Sequence, residues 1–196
     1  MMANVIADIR RYTDLMGRRP GAGDILDLAF TQGIWAVLVY RFGAWVRPNR
    51  LFGVSAALKM IYFVLNKLIE IMTGISISSK AVIGKGLYIG HFSGIFIHGS
   101  ARIGGNCSLS QGVTIGTLGL GKQGAPVIGD NVFIGTGAKV LGGITVGSNV
   151  RIGANAVVIA DVPDNVTVVG VPAKPVRIRD NASGSAEVGI DISTIA

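Results

Sequence analysis

From residue 77 onward the aliphatic positions repeat every six residues. They stand at Ile77, Ile83 and Ile89, then Ile97, Ile103, Leu109 and Ile115, then Ile128, Ile134, Val140, Val146, Ile152 and Val158. Glycine usually follows each anchor, as at Gly84, Gly104, Gly129 and Gly147. A small or β-branched residue stands four places after it, as at Ala81, Ser93, Ala101, Cys107, Val113, Ala138, Val150 and Ala156. A period of six matches neither an amphipathic helix nor an alternating strand. It is the repeat of a parallel β-helix, in which each six-residue unit forms one flat face of a triangular coil. The anchor points inward and stacks on the anchor one coil away, while the small residue fills the narrow interior without strain. Glycine is expected at the corners, where the chain needs a left-handed backbone conformation. No coil buries its face alone, so several must stack. The repeat count predicts about five coils, and the expected fold is mainly β, a left-handed parallel β-helix.

Before residue 74 the pattern is helical. Asn4 is placed to cap a helix over 5–16, and the glycine-rich stretch 17–23 breaks it. A second apolar segment covers 25–46 and a third 54–72. In the third, Leu58, Ile61, Leu65, Leu68 and Met72 have helical spacing and are expected to form its packing face. The organisation expected is therefore a short α-helical N-terminal region (1–74), the β-helix (75–178) and a flexible C-terminal tail (179–196).

Two places break the six-residue register. Between Ile89 and Ile97 the spacing is eight, and between Ile115 and Ile128 it is thirteen. A solenoid tolerates insertions as surface loops, often on its binding face. The first break holds His91, one of two histidines in the chain, and the second is glycine-rich with Lys122. A histidine projecting from a rigid wall suits a general base working near neutral pH. The same position also suits a polar corner residue with no chemistry. His98 directly follows an anchor and is expected to point outward.

Composition narrows the chemistry. The single cysteine, Cys107, falls in the small inward series, so it reads as core, and it permits no intrachain disulfide. Two histidines and one buried-looking thiol make a poor zinc set, so no metal is expected. The net charge of +7 favours an anionic partner. Aromatic residues make up only 7% and no basic run is interleaved with them, which argues against nucleic acid. The N-terminus lacks the apolar core of a signal peptide, and a cytoplasmic location is expected. The stretch 51–72 is fairly apolar but interrupted by Lys59, Asn66, Lys67 and Glu70. It is a poor membrane span and a candidate for peripheral membrane contact.

The run Ile89-Gly-His-Phe-Ser-Gly-Ile-Phe-Ile97, with Ser110-Gln-Gly-Val-Thr-Ile-Gly116, Ile134-Gly-Thr-Gly-Ala-Lys-Val-Leu-Gly142 and Val169-Gly-Val-Pro-Ala-Lys174, resembles the serine O-acetyltransferase family of hexapeptide-repeat acyltransferases. The resemblance covers about 75–178, and Asp8-Ile-Arg10 looks like part of a shortened N-terminal region of that family. Gly-His-Phe and Pro126-Val-Ile-Gly-Asp130 are closest to the branch associated with capsular and exopolysaccharide synthesis. The resemblance implies acetyl transfer from acetyl-CoA to a hydroxyl acceptor, with His91 as base and a homotrimer with sites between subunits. It also implies cofactor-binding roles for Gly116 and Thr117 along the pantetheine channel, for Thr136 and Ala154 along coenzyme A, and for Lys139 and Lys174 near its phosphates. The family carries an Asp just before the catalytic His, an Arg-His pair before the proline that ends the long loop, and a further Glu. Here those positions read Gly90, Gly124 and Ala125, and Gly99. Their loss points from L-serine towards a neutral hydroxyl such as that of a sugar in polysaccharide biosynthesis. Serine O-acetylation in cysteine biosynthesis is the first alternative, and a non-catalytic β-helix scaffold subunit the second.

Overall fold

The computed structural model of the chain describes residues 1–48, 54–119 and 124–178. The tail 179–196 and Lys122 lie outside the described residues. Four helices come first: α1 (Met2–Leu15), α2 (Ala22–Ala29), α3 (Gln32–Val46) and α4 (Val54–Thr73). The strands then run as β1 (Ile75–Ile77), β2 (Val82–Ile83) and β3 (Tyr88–Ile89) in the first coil, and β4 (Ile95–Ile97), β5 (Arg102–Ile103) and β6 (Ser108–Leu109) in the second. The third coil has β7 (Thr114–Gly116), β8 (Val127–Ile128) and β9 (Phe133–Ile134), and the fourth β10 (Lys139–Leu141), β11 (Thr145–Val146) and β12 (Arg151–Ile152). The fifth has β13 (Val157–Val158) and β14 (Val166–Val169), and β15 (Lys174–Ile178) folds back on β14.

Every third strand stacks, giving three parallel sheets: β1-β4-β7-β10-β13, β2-β5-β8-β11 and β3-β6-β9-β12-β14, the last closed by antiparallel β15. The anchors meet in register, Ile77 over Ile97, Ile97 over Ile115, Ile115 over Val140 and Val140 over Val158. All thirteen anchors are buried, and so are Ala81, Ala101, Cys107, Val113, Ala138, Val150 and Ala156 of the small series. Ser93 departs from that series: it is exposed, and Ile95 takes the inward place, because the first register break shifts the chain by two residues.

The glycines act differently from the expectation. Those after the anchors are not in the left-handed region. Most of them are needed because successive coils touch there: a Cβ on Gly84 would lie 2.6 Å from the Gly104 carbonyl carbon, and one on Gly104 2.5 Å from the Gly129 oxygen. The left-handed corners fall to other glycines, such as Gly112 (φ 74°) and Gly137 (φ 73°), and to asparagine, at Asn106 (φ 56°), Asn131 (57°), Asn149 (59°) and Asn165 (62°). Asparagine tolerates this conformation better than other side chains. Its amides also form a ladder along the stack, Asn131 donating to Asn149 Oδ1 (3.2 Å) and Asn149 to Asn165 Oδ1 (2.9 Å).

The helical region seats on the first coil through polar groups that complete its open backbone edge. The Tyr12 hydroxyl accepts from Ile89 N (3.0 Å) and donates to Ile89 O (3.2 Å), and the Tyr40 hydroxyl serves Ile83 N and Ala81 O in the same way. Asp8 and Arg41, 2% and 5% exposed, form a two-point ion pair. Asp8 Oδ1 also accepts from Gly86 N and Leu87 N, and Arg41 donates to the Ile83 and Gly84 carbonyls. Gly33 permits this approach, since a Cβ there would lie 2.4 Å from Ile89 O.

Three helix expectations change. Asn4 lies inside α1 and not at its cap. The segment 25–46 is two helices bent by 58°. Of the five spaced residues of α4 only Leu58 is half-buried; Ile61, Leu65, Leu68 and Met72 face outward, and Tyr62 and Ile69 turn inward instead. Periodicity marked the apolar stripe but could not say which apolar stripe the neighbouring helix would cover.

Candidate active site

The first register break is a turn between β3 and β4. Ser93 (φ 90°) and Gly94 (φ 68°) reverse the chain in the left-handed region. Ser93 N donates to Thr73 O at the end of α4 (2.8 Å), and Ser93 O accepts from Gly112 N in the next coil (2.9 Å). The turn is thus held from above and below. It carries an exposed His91 beside an exposed Phe92, 48% accessible.

Below this turn the same corner repeats in each coil. Gly112 (φ 74°), Gly137 (φ 73°) and Asn155 (φ 56°) follow Gly94, and Gly137 N bonds Gln111 O while Asn155 N bonds Thr136 O. A Cβ on Gly94 would stand 3.3 Å from the Gly112 Cα, and one on Gly112 3.2 Å from the Gly137 Cα, so the corner is tightly stacked. Thr136 and Ala154, both exposed, therefore fall in line beneath His91. Lys139 starts β10 and turns its ammonium back to the same corner, donating to Gly112 O (2.5 Å). Lys174 is exposed at the start of β15, next to Ala173, whose N–H bonds Val157 O in the fifth coil. His91, Thr136, Lys139 and Ala154 are brought together along one edge, with Lys174 near its far end.

Gly116 and Thr117 are not brought to that edge. Gly116 ends β7, at the opposite end of the same sheet, roughly 10 Å from the His91 corner for a three-residue strand. Their neighbours are Phe96 and His98: a Cβ on Gly116 would lie 3.9 Å from both the Phe96 ring and the His98 Cβ. His98 is half-buried, and its Nδ1 accepts from Ser100 N (3.2 Å), a local turn contact. Cys107 is fully buried with Sγ 3.3 Å from Gly129 O, and burial pushes its thiol up to about 11, so it stays protonated and out of the chemistry.

Where the family's acceptor-binding charges would stand, there is little room. A Cβ on Gly90 would meet the Tyr88 ring at 3.1 Å, one on Gly99 would meet Ser78 Oγ at 2.8 Å, and one on Gly124 (φ 107°) would meet Gly143 Cα at 2.7 Å. Ala125 is buried. Sequence reasoning missed two polar features beside the corner. The Gln111 side-chain oxygen is buried with no hydrogen-bond partner among the described residues. Glu70 on α4 accepts from Ser76 Oγ (2.8 Å), Asn66 Nδ2 (2.9 Å) and Lys67 Nζ (2.6 Å). Burial pushes its carboxyl up, but the bonds from Lys67, Ser76 and Asn66 outweigh that and hold it below the usual range. No sequence signal marked either, since both depend on contacts between elements.

Comparison with known proteins gives the site its context. Residues 125–160 match the bacterial transferase hexapeptide (six repeats) family. The serine acetyltransferase of Mycobacterium tuberculosis (strain H37Rv) is 38% identical over 178 residues, covering 89% of this chain and 72% of that protein. The crystal structure of serine acetyltransferase from Brucella abortus strain S19 in complex with coenzyme A superposes with a TM-score of 0.77 at 30% identity, covering 91% of this chain and 68% of that one. That of the Neisseria gonorrhoeae enzyme in complex with serine gives 0.73 at 35% identity, covering 89% and 68%. None of these three is described as a capsular or exopolysaccharide enzyme, so the expected placement in that branch finds no support in them. With the His91 corner and nearly all of the stacked hexapeptide coils inside a match that covers 89% of the sequence, the chain belongs to the serine acetyltransferase family and is an O-acetyltransferase of the hexapeptide type.

Proposed function

We propose that the chain transfers the acetyl group of acetyl-CoA to the hydroxyl of L-serine, with His91 as general base. The reading rests on His91 standing free on a fixed corner above Thr136 and Ala154, together with relatives solved with coenzyme A and with serine. Acetyl-CoA would lie along that corner, its phosphates towards the Lys174 end. A homotrimer would set the corner of one copy against the Gly116–Thr117 end of the next, and so join the two halves that one chain keeps apart. His91 takes the proton from the acceptor hydroxyl as its oxygen attacks the thioester carbonyl. The tetrahedral oxyanion collapses, the C–S bond breaks, and the imidazolium returns the proton to the leaving thiolate. Backbone N–H groups at Gly116 and Thr117 are the donors suited to the oxyanion.

A neutral sugar hydroxyl is the second reading. It is favoured by Gly90, Gly99, Gly124 and Ala125, which supply no charge for an amino acid's ammonium or carboxylate and leave little space for one. Thiol release from acetyl-CoA distinguishes the two. Saturable release with L-serine supports the first reading, and release only with saccharides or sugar nucleotides replaces it with the second. In either case His91→Ala is expected to lose at least about a hundredfold in turnover while remaining folded. Turnover near wild type in that variant would remove His91 from the mechanism.

A further inference from the structure

Strand β4 carries side chains that the His91 corner does not use. Ile95 and Ile97 are buried, so Phe96, 46% exposed, and the half-buried His98 stand on the outer side. His98 N donates to Ile115 O (2.8 Å), which places His98 beside Gly116 of the next coil. A Cβ on Gly116 would find the His98 Cβ and the Phe96 ring at 3.9 Å, an ordinary contact distance, and Gly116 is not in the left-handed region. Neither packing nor backbone conformation requires glycine there, in contrast to Gly84 and Gly104. Its missing side chain leaves room at the foot of the His98 ring.

That ring is already oriented. Its Nδ1 accepts from Ser100 N (3.2 Å), so the hydrogen of the neutral imidazole is carried on Nε2. Nε2 has no partner among the described residues, and held this way His98 is a hydrogen-bond donor rather than a base. Its surroundings suit an anion. The segments at this end of the first three coils, 78–80, 98–100 and 116–119, read Ser-Ser-Lys, His-Gly-Ser and Gly-Thr-Leu-Gly, without a carboxylate. Lys80 is exposed there, and its Cβ would lie 3.0 Å from a Cβ on Gly99. Within one chain this end stands a strand's length from His91. In the proposed homotrimer it meets the His91 corner of the next copy, in a site where Gly90, Gly99, Gly124 and Ala125 supply nothing to hold an acceptor's carboxylate.

We propose that His98 binds the carboxylate of L-serine through Nε2–H, while the serine hydroxyl gives its proton to His91 of the partner subunit. This rests on the L-serine reading above and adds to it which group holds the acceptor and which copy supplies it. Thiol release from acetyl-CoA is followed with L-serine and with L-serinamide, which keeps the hydroxyl and ammonium but not the carboxylate. His98→Ala should lower kcat/KM for L-serine at least about tenfold, mainly through KM, because a hydrogen bond to a charged group is lost. The preference for L-serine over L-serinamide should collapse, and the KM for acetyl-CoA should hold. His98→Gln, which keeps an N–H donor of similar reach, should regain part of the loss. Co-expressed His91→Ala and His98→Ala chains should form mixed trimers more active on L-serine than either parent. With random mixing about a quarter of the sites pair an intact His91 with an intact His98. The role is overturned if His98→Ala leaves the L-serine KM unmoved, if both acceptors lose equally, or if mixed trimers regain nothing. A wild-type chain that does not turn over L-serine overturns the L-serine reading and this role together, whereas the other results leave that reading standing.

Discussion

Asp8 is expected to be worth more to this fold than any surface charge. Its carboxylate neutralises Arg41 in a place where the two are 2% and 5% exposed, and it accepts two backbone N–H groups of the first coil. Asp8→Ala leaves a guanidinium buried without its counter-ion, a change that costs about 3–5 kcal/mol. It also strips Gly86 N and Leu87 N, each at about 1–3 kcal/mol, with part of both costs shared because the groups form one network. A loss of about 4 kcal/mol or more is therefore expected, against a total of about 5–15 kcal/mol for an ordinary domain. Asp8→Asn keeps an oxygen for the backbone and should cost less. Adding Arg41→Met to Asp8→Ala should recover part of the loss, since the stranded charge goes with it. Urea unfolding at fixed protomer concentration measures the three variants against wild type, and both tryptophans, Trp35 and Trp45, sit in α3, the helix that carries Arg41, so fluorescence follows the cap. A cost below about 1 kcal/mol for Asp8→Ala, or a further loss on adding Arg41→Met, would refute the account of the cap as an ion-paired edge seal.

Other outcomes follow from single contacts. Tyr12→Phe leaves the buried N–H and C=O of Ile89 without partners and should cost about 1–3 kcal/mol, read from the same urea curves. Asn131→Ala should lower Tm more than Asn131→Gly, because alanine adds about 1–2 kcal/mol of left-handed strain at φ 57° while glycine loses only the amide ladder; equal Tm values would show the corner to be relaxed. Cys107, with its thiol raised to about 11, should resist thiol reagents at neutral pH until urea unfolds the coils, and rapid native labelling would contradict its place in the core. Glu70 has a folded pKa below its ordinary 4.5, so its contribution is full above the unfolded value and is lost as pH falls through the folded one. Glu70→Gln should therefore flatten the acid side of a Tm-against-pH profile, and an unchanged profile would discount the Ser76 and Lys67 contacts.

The β-helix was legible because its anchors obey a strict period: Ile77 to Val158 are all inside, and both insertions lie where the register slips. The exposed position of His91 was legible for the same reason, since it lies in the first slip. The turns were read in part: glycine does hold left-handed corners, as at Gly112 and Gly137, but not at the positions that follow the anchors. Proximity of glycine to each anchor suggested a conformational role, yet the neighbour that demands glycine at Gly104 is the backbone of Gly129, twenty-five residues away, and no local pattern encodes that distance. The helical cap was hidden likewise. Asp8, Tyr12, Tyr40 and Arg41 look like ordinary surface polar residues until the first coil is set against them. The orientation of α4 was out of reach because it has apolar residues on both sides, and only α3 decides which side is covered. Gly116 and Thr117 were grouped with His91 by resemblance, and the topology of a single chain separates them by the width of a sheet.

The phenols of Tyr12 and Tyr40 also bear on how long the stack can grow. Each offers one donor and one acceptor, which is what a peptide unit of a further coil would offer to Ile89 or to Ala81 and Ile83. They are end-stops: they occupy the templating positions of the first coil without presenting a new set beyond. At the other end β15 reverses direction and pairs with β14 antiparallel, so the parallel series cannot continue there either. A bare solenoid of this kind would be a polymerisation seed, able to add coils or join another copy end to end. Closed at both ends, it is a finite ruler whose length is set by the number of coils between the stops.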